Sequence, residues 1–93
     1  MIQNNEYFDG KVKSLGFENG NGRATVGVMD PGDYEFNTGA PELMTLISGS
    51  WVLQLPGSNS FVTFAVGETA SIPGNSKFKL RIAEQSAYHC AFK

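Results

Sequence analysis

Short runs of β-branched and aromatic residues, separated by turn residues every eight to twelve positions, dominate the chain. This spacing is typical of a β-sandwich or β-barrel, and we expect almost no helix. Segments 11–17 and 23–29 flank a turn cluster at 18–22 that contains two Asn-Gly pairs. Because Asn-Gly pairs readily adopt the positive φ angles of tight turns, these segments predict a β-hairpin.

A second hairpin is predicted from segments 51–55 and 61–66, which flank the turn cluster Pro-Gly-Ser-Asn-Ser. Turn residues also bound shorter β-prone segments, and we expect strands at 34–37, 69–72, 77–83 and 87–92. In the third of these, Phe78, Leu80 and Ile82 alternate with basic residues. One face of that strand should therefore be buried and the other exposed to solvent.

Segment 41–48 is ambiguous, because its apolar residues also fit helical spacing and Pro41 and Gly49 stand where helix boundaries would be. Thr45 and Ile47 are β-branched, and the next strand begins after only two residues. We therefore favour a strand followed by a turn.

The 93 residues are enough for one hydrophobic core, so we expect a single domain over residues 1–93. Seven basic and nine acidic residues give a net charge of −2, which disfavours nucleic-acid binding by phosphate neutralisation. The single cysteine cannot form an internal disulfide, no apolar run is long enough to span a membrane, and the polar start does not resemble a signal peptide. We therefore expect a cytoplasmic protein without a membrane partner.

Candidate chemistry is limited by residue counts. His89 is the only histidine and Cys90 the only cysteine, so one chain cannot assemble a metal site from three or four histidine and cysteine ligands. We interpret His89 as a partly buried structural residue and Cys90 as a small core residue. No metal is expected.

Glu42 is the most suggestive acidic residue, because it begins an apolar run in which an inward-facing carboxylate needs a partner. An exposed glutamate at a strand start is the alternative. Basic residues such as Lys13 and Arg23 suit an anionic substrate, although both are also ordinary exposed residues. Six aromatic residues are candidates for stacking on a planar ligand or for filling the core, namely Tyr34, Phe36, Phe61, Phe64, Phe78 and Tyr88.

Two spacings resemble the motifs of the cupin superfamily. Glu42 precedes Gly49 by the interval of the first motif, and Gly67 precedes Pro73 by that of the second. Phe78 stands where the second motif carries a metal-binding histidine. The resemblance implies an all-β, single-domain, jelly-roll-like cupin barrel that has lost its metal ligands.

A closer match extends over the whole chain and resembles the small bacterial pyrimidine/purine nucleoside phosphorylase family. The matching segments are 5–8, 10–14, 25–29, 31–36, 41–44 and 73–78. The resemblance implies a homodimer of single cupin domains. It also implies a broad-specificity pentosyltransferase that splits purine and pyrimidine nucleosides with phosphate, its co-substrate, into free base and ribose 1-phosphate, without a cofactor.

Phosphorolysis builds positive charge on the sugar, so the site should place negative charge near the ribose and hold phosphate beneath the anomeric carbon. Under this resemblance Glu42 is the catalytic candidate, for the ribose hydroxyls or for the developing cation. Phosphate needs fixed donors. The candidates are Arg23, Lys13 and the backbone around Asn75 and Ser76.

Broad base tolerance is expected if the base is held by stacking, which suggests Phe36, Phe78 or Tyr34 as a platform. Two other functions are compatible with the residues. One is a metal-free cupin that binds a small ligand or a protein partner without catalysis. The other is a metal-dependent cupin enzyme whose ligands come from both chains of a dimer.

Overall fold

Turns divide the chain into ten β-strands and one 3-10 helix, Phe8–Gly10, in a computed structural model that describes residues 1–93. This helix is far too short to cross a membrane. In chain order the strands are β1 (Gln3–Tyr7), β2 (Val12–Asn19), β3 (Gly22–Met29), β4 (Gly32–Asn37), β5 (Glu42–Ser48), β6 (Trp51–Gln54), β7 (Val62–Phe64), β8 (Thr69–Ile72), β9 (Lys77–Ile82) and β10 (Ser86–Phe92).

The strands form two antiparallel sheets. The six-stranded sheet has the order β1-β2-β3-β10-β5-β8, and the four-stranded sheet has the order β4-β9-β6-β7. Each sheet keeps two edge strands, so neither closes on itself. The all-β prediction is confirmed, but a closed barrel is not confirmed by the hydrogen bonding.

The predicted strands are all present. Strands β2 and β3 form the first hairpin and β6 and β7 the second. The ambiguous segment 41–48 is strand β5, so the strand interpretation is confirmed. Strand β1 was not predicted, because its sequence Gln-Asn-Asn-Glu-Tyr has neither apolar alternation nor β-branched residues. It forms by pairing with β2, in which Gln3 lies opposite Gly16 and Tyr7 opposite Val12.

A single apolar core fills the space between the sheets. The inward residues of β9 are buried and its Lys77, Lys79 and Arg81 are exposed, which confirms the predicted alternation. The core cluster comprises Val12, Met29, Tyr34, Met44, Leu46, Trp51, Leu53, Ala70, Ile72, Phe78, Leu80, Ile82, Tyr88 and Cys90. Burying these side chains is the main stabilising contribution, at roughly 1.5–3 kcal/mol for each large aliphatic residue.

Candidate functional site

A cavity of about 290 Å³ lies between the two sheets, next to the core. The six-stranded sheet supplies most of its polar wall. The four-stranded sheet supplies aromatic rings, and Tyr7 at the end of β1 also borders the cavity. This volume is at the small end of the range for ligand pockets, roughly 300–1,000 Å³.

Glu42 is the only carboxylic acid lining the cavity, and no basic side chain lines it. It lies at the start of β5, where Phe92 of β10 and Ile72 of β8 are its neighbours in the sheet. The side chain is half-buried, and its Oε1 accepts a hydrogen bond from Cys90 Sγ at 3.4 Å. Burial raises the pKa of Glu42, and the hydrogen bond from Cys90 lowers it in part. Of the two orientations that the sequence leaves open, the structure therefore has the inward one, with a polar partner.

Cys90 is buried in the cavity wall, as expected of a core cysteine. Burial raises the pKa of its thiol, and the nearby Glu42 carboxylate raises it further, whereas a hydrogen bond with Thr25 lowers it. Thr25 lies directly opposite Cys90 on β3. The thiol therefore stays protonated at neutral pH and can donate a hydrogen bond, but it is a poor nucleophile.

Tyr88 lies on β10, two residues before Cys90, and its ring lies over Gly27 of the neighbouring strand β3. A Cβ at Gly27, its cross-strand partner, would come within 2.6 Å of the Tyr88 ring and hydroxyl, so only glycine leaves room for the ring. The hydroxyl interacts with Ser14 of β2, which also accepts a hydrogen bond from Asn5 Nδ2 at 3.3 Å. Burial raises the pKa of Tyr88 to about 12, so the phenol stays neutral.

The opposite wall of the cavity is aromatic. Phe36 of β4 and Phe78 of β9 are cross-strand partners whose rings stack with centroids 5.5 Å apart and an interplanar angle of 22°. Tyr7 meets Phe36 edge to face, with centroids 6.5 Å apart. Stacked rings on one wall suit a flat heterocycle better than they suit a charged or strongly hydrated group.

Arg23 lies beside the cavity and not within it. Its guanidinium carbon is 5.3 Å from the centroid of the Phe92 ring, in a cation–π contact. It lines an adjoining groove of about 510 Å³, and this groove shares Thr25 and Phe92 with the cavity. Thr25 and Phe92 therefore border both the cavity and the groove at Arg23.

The other sequence-predicted binding residues do not line this cavity. Lys13 is exposed on β2, on the opposite face from Val12 and Ser14. Tyr34 is buried, and its hydroxyl donates to the Asp30 carbonyl at 2.7 Å. Its side chain is thus part of the hydrophobic core.

Asn75 and Ser76 occupy the turn between β8 and β9. Their backbone N–H groups already donate, Asn75 to the Gly39 carbonyl and Ser76 to Thr38 Oγ1, each at 3.0 Å. The structure thus brings together Glu42, Phe36 and Phe78, with Arg23 nearby. The functional roles of all of these residues stay predictions, as do those of Lys13, Tyr34, Asn75 and Ser76, which lie outside the cavity.

Several cavity residues were not predicted from the sequence as site residues, namely Tyr7, Ser14, Thr25 and Cys90, whereas Tyr88 was one of the six aromatic candidates. Period-two alternation along β2 could have placed Ser14 on the same face as the buried Val12. Nothing in the sequence could have paired Thr25 with Cys90. His89 is half-buried on β10, with its ring 6.4 Å from that of Phe17, away from the cavity. No three His, Cys, Asp or Glu side chains lie together in a way that could hold a metal ion.

A family model and curated relatives with the same name both match this chain. The model of a family described as "Pyrimidine/purine nucleoside phosphorylase" matches residues 2–92. A protein of that name from Tolumonas auensis is 56% identical over 93 residues, covering 100% of both chains.

Solved structures share the fold. A protein of unknown function from Vibrio parahaemolyticus has a TM-score of 0.93 at 43% identity, covering 97% of this chain and 96% of its own. A cupin-2 domain from Rhodospirillum rubrum has a TM-score of 0.74 at 17% identity, covering 96% of this chain and 67% of its own. The second likeness shows that the fold is cupin-like.

Proposed function

The chain belongs to the pyrimidine/purine nucleoside phosphorylase family, and we propose that it cleaves nucleosides with inorganic phosphate. In this reaction a phosphate oxygen forms a bond to the anomeric carbon while the bond between that carbon and the base nitrogen breaks. The base keeps the electron pair of the broken bond and takes up a proton. The products are the free base and ribose 1-phosphate, and the reaction needs no cofactor.

The observation that carries this proposal is a lone half-buried carboxylate facing a stacked aromatic pair across one cavity. As the glycosidic bond breaks, positive charge develops on the sugar. A fixed carboxylate in a site partly shielded from water stabilises that charge more than it stabilises the neutral substrate. Glu42 would therefore act on the ribose, through its hydroxyls and its developing charge.

The aromatic wall supports broad specificity for the base. Phe36 and Phe78 offer ring faces and edges but no hydrogen-bonding groups. Stacking energy depends little on which heteroatoms a ring carries, so purines and pyrimidines would both be held. The base would lie against this wall, with the ribose toward the six-stranded sheet.

Phosphate would approach from the adjoining groove. The cavity itself contains no basic side chain, and its one charged group would repel an anion. Arg23 lines the groove, and its planar guanidinium suits phosphate oxygens. Thr25 lines both spaces and adds a hydroxyl donor between Arg23 and the sugar.

A homodimer is also proposed, with a second copy covering the outer face of the six-stranded sheet. This face exposes large apolar side chains, namely Leu15, Phe17, Val26, Val28 and Ile47. Leu15 and Val26 are cross-strand neighbours, and exposed apolar side chains that cluster on one face are of the kind that mark an interface. Light scattering should give the mass of two chains at micromolar concentration, and Val26→Lys should give one.

Incubation of the purified protein with uridine or adenosine, with and without phosphate, tests the reaction directly. We expect base release from both nucleosides only when phosphate is present, with equimolar ribose 1-phosphate detected by ³¹P NMR. Binding of nucleoside without any base release, even at high protein concentration, would instead support the non-catalytic binding module. A requirement for added metal would support the metal-dependent alternative.

A further inference from the structure

Cys90 and Glu42 are in direct contact in the cavity wall, although Cys90 takes no part in breaking the glycosidic bond. The cysteine reaches Glu42 diagonally, because Cys90 lies opposite Met44 and Phe92 lies opposite Glu42 in the pairing of β10 with β5. The distance from Cys90 Sγ to Glu42 Oε1 is 3.4 Å, within the range for a sulfur donor. Thr25 lies directly opposite Cys90 on β3, on the other side, and it lowers the pKa of the thiol.

Three strands thus supply a connected row of side chains. Thr25 on β3 is the cross-strand partner of Cys90 on β10, and Cys90 donates a hydrogen bond to Glu42 on β5. All three side chains line the cavity. Thr25 also borders the groove of Arg23, so the row runs from the proposed phosphate side to the proposed ribose side.

We propose that Cys90 is a positioning residue for the reaction, and that its thiol fixes the orientation and the charge of the Glu42 carboxylate. The thiol occupies one lone pair of Oε1 and leaves Oε2 free for the ribose. This inference rests on the proposed function of Glu42. It assigns Cys90 no bond-forming step, since a buried thiol beside a carboxylate remains protonated.

The charge of Glu42 depends on few neighbours. The other ionisable residues lining the cavity are Tyr7, Tyr88 and Cys90, and their protonated forms are neutral. The basic residues Arg23 and Lys93 lie near Phe92, and neither lines the cavity. Burial favours the protonated form of Glu42 and raises its pKa. The hydrogen bond from the Cys90 thiol opposes this effect, because it favours the ionised carboxylate.

Cys90→Ala and Cys90→Ser separate this role from simple packing. Both variants remove the sulfur, but only serine keeps a side-chain donor at this position. The measurement is the titration of the Glu42 side-chain carboxyl by ¹³C NMR in the unliganded protein. The Glu42 signal is identified by its absence from the spectrum of Glu42→Gln. We expect Cys90→Ala to raise the titration midpoint by about 0.3 to 1 pH unit, and Cys90→Ser to restore most of the wild-type value.

Ser14→Ala is the matched control, because Ser14 is a polar cavity residue on β2 whose partners are Asn5 and Tyr88 and not Glu42 or Cys90. Its removal should leave the Glu42 midpoint unchanged. In the phosphorolysis assay, the acid side of the pH profile of kcat/KM should move upward in Cys90→Ala by the same shift as the NMR midpoint, and should return in Cys90→Ser.

An unchanged Glu42 midpoint in a folded Cys90→Ala variant would overturn the proposal, because the thiol would then have no effect on the carboxylate. A shifted midpoint with an unshifted rate profile would also overturn it. The NMR titration needs no turnover. Absence of base release by the wild-type protein would therefore reject the proposed function separately, whatever the titration shows.

Discussion

The space between the two sheets contains two regions that differ in chemistry although the same strands build both. In the packed region, Val12, Leu46, Trp51, Leu53 and Leu80 are almost completely buried. In the cavity region, the six-stranded sheet presents Ser14, Thr25, Glu42, Tyr88 and Cys90 to an open space. The first region stabilises the fold, and the second provides hydrogen-bonding groups.

The change from apolar to polar inward side chains occurs within single strands. Along β5 the inward side chains run from Leu46 through Met44 to Glu42, and along β2 they run from Val12 to Ser14. Each step of two residues keeps the side chain on the same face. A site built this way sits on rigid strands, because the apolar end of each strand is held in the core.

Replacing a residue of the packed region should have the largest effect on stability. Leu80→Ala removes a fully buried side chain in close-packed surroundings, and we expect a loss of roughly 2–5 kcal/mol in the free energy of unfolding. Phe36→Ala removes a half-buried ring that already borders the cavity, so the free energy of unfolding should fall by less per atom removed. Urea denaturation of both variants measures this difference, and equal losses per atom would contradict it.

Gly27→Ala should disturb the boundary between the two regions. The added methyl group would collide with the ring of Tyr88, so either the ring or the strand must move. We expect a loss of roughly 1–3 kcal/mol in the free energy of unfolding and an altered near-ultraviolet circular dichroism spectrum. Gly20→Ala is the control, because a Cβ there meets nothing within 4 Å. Similar effects of the two substitutions would show that Tyr88 does not need Gly27.

Glu42→Gln should affect activity and leave the fold intact. The amide keeps the size of the side chain but loses the charge proposed to stabilise the transition state, so we expect kcat for phosphorolysis to fall by at least about tenfold. Glu35→Gln is the matched control, because Glu35 is exposed on β4 and lies outside the cavity. Unchanged turnover in Glu42→Gln would remove Glu42 from the mechanism.

The pH dependence of stability should show a smaller effect at the same residue. Folding raises the pKa of Glu42, so the folded protein binds this proton more tightly than the unfolded chain does. Ionising Glu42 therefore costs stability. The cost is absent below the unfolded-state pKa and grows until the pH passes the raised folded-state pKa.

Glu42→Gln lacks this cost. We therefore expect its stability relative to the wild-type protein to increase as the pH rises from the ordinary glutamate pKa to the raised one. Urea denaturation over this pH range measures the difference. A constant difference between the two proteins would show that the folded state does not perturb the carboxyl group.

Much of the fold followed from local pattern. Turn residues and alternation were enough to predict β2 to β10, because inward and outward side chains must alternate when one face of a strand is buried. Strand β1 could not be predicted, since its polar sequence becomes a strand only by pairing with β2. Sheet closure could not be predicted either. It depends on which edges meet, and hydrogen bonds join neither edge of either sheet to the other.

The candidate site also has features that local sequence predicts and features that it does not. Local sequence was enough to indicate one hydrophobic core made from strands, Glu42 at the start of an apolar segment, and aromatic rings that could face it. Which side chains share the cavity depends on how the strands pair and pack. Thr25, Glu42 and Cys90 are far apart in the chain, and their contact depends on the order β3-β10-β5 and on its register. Strand order and register follow from the packing of the whole core, which no single segment specifies.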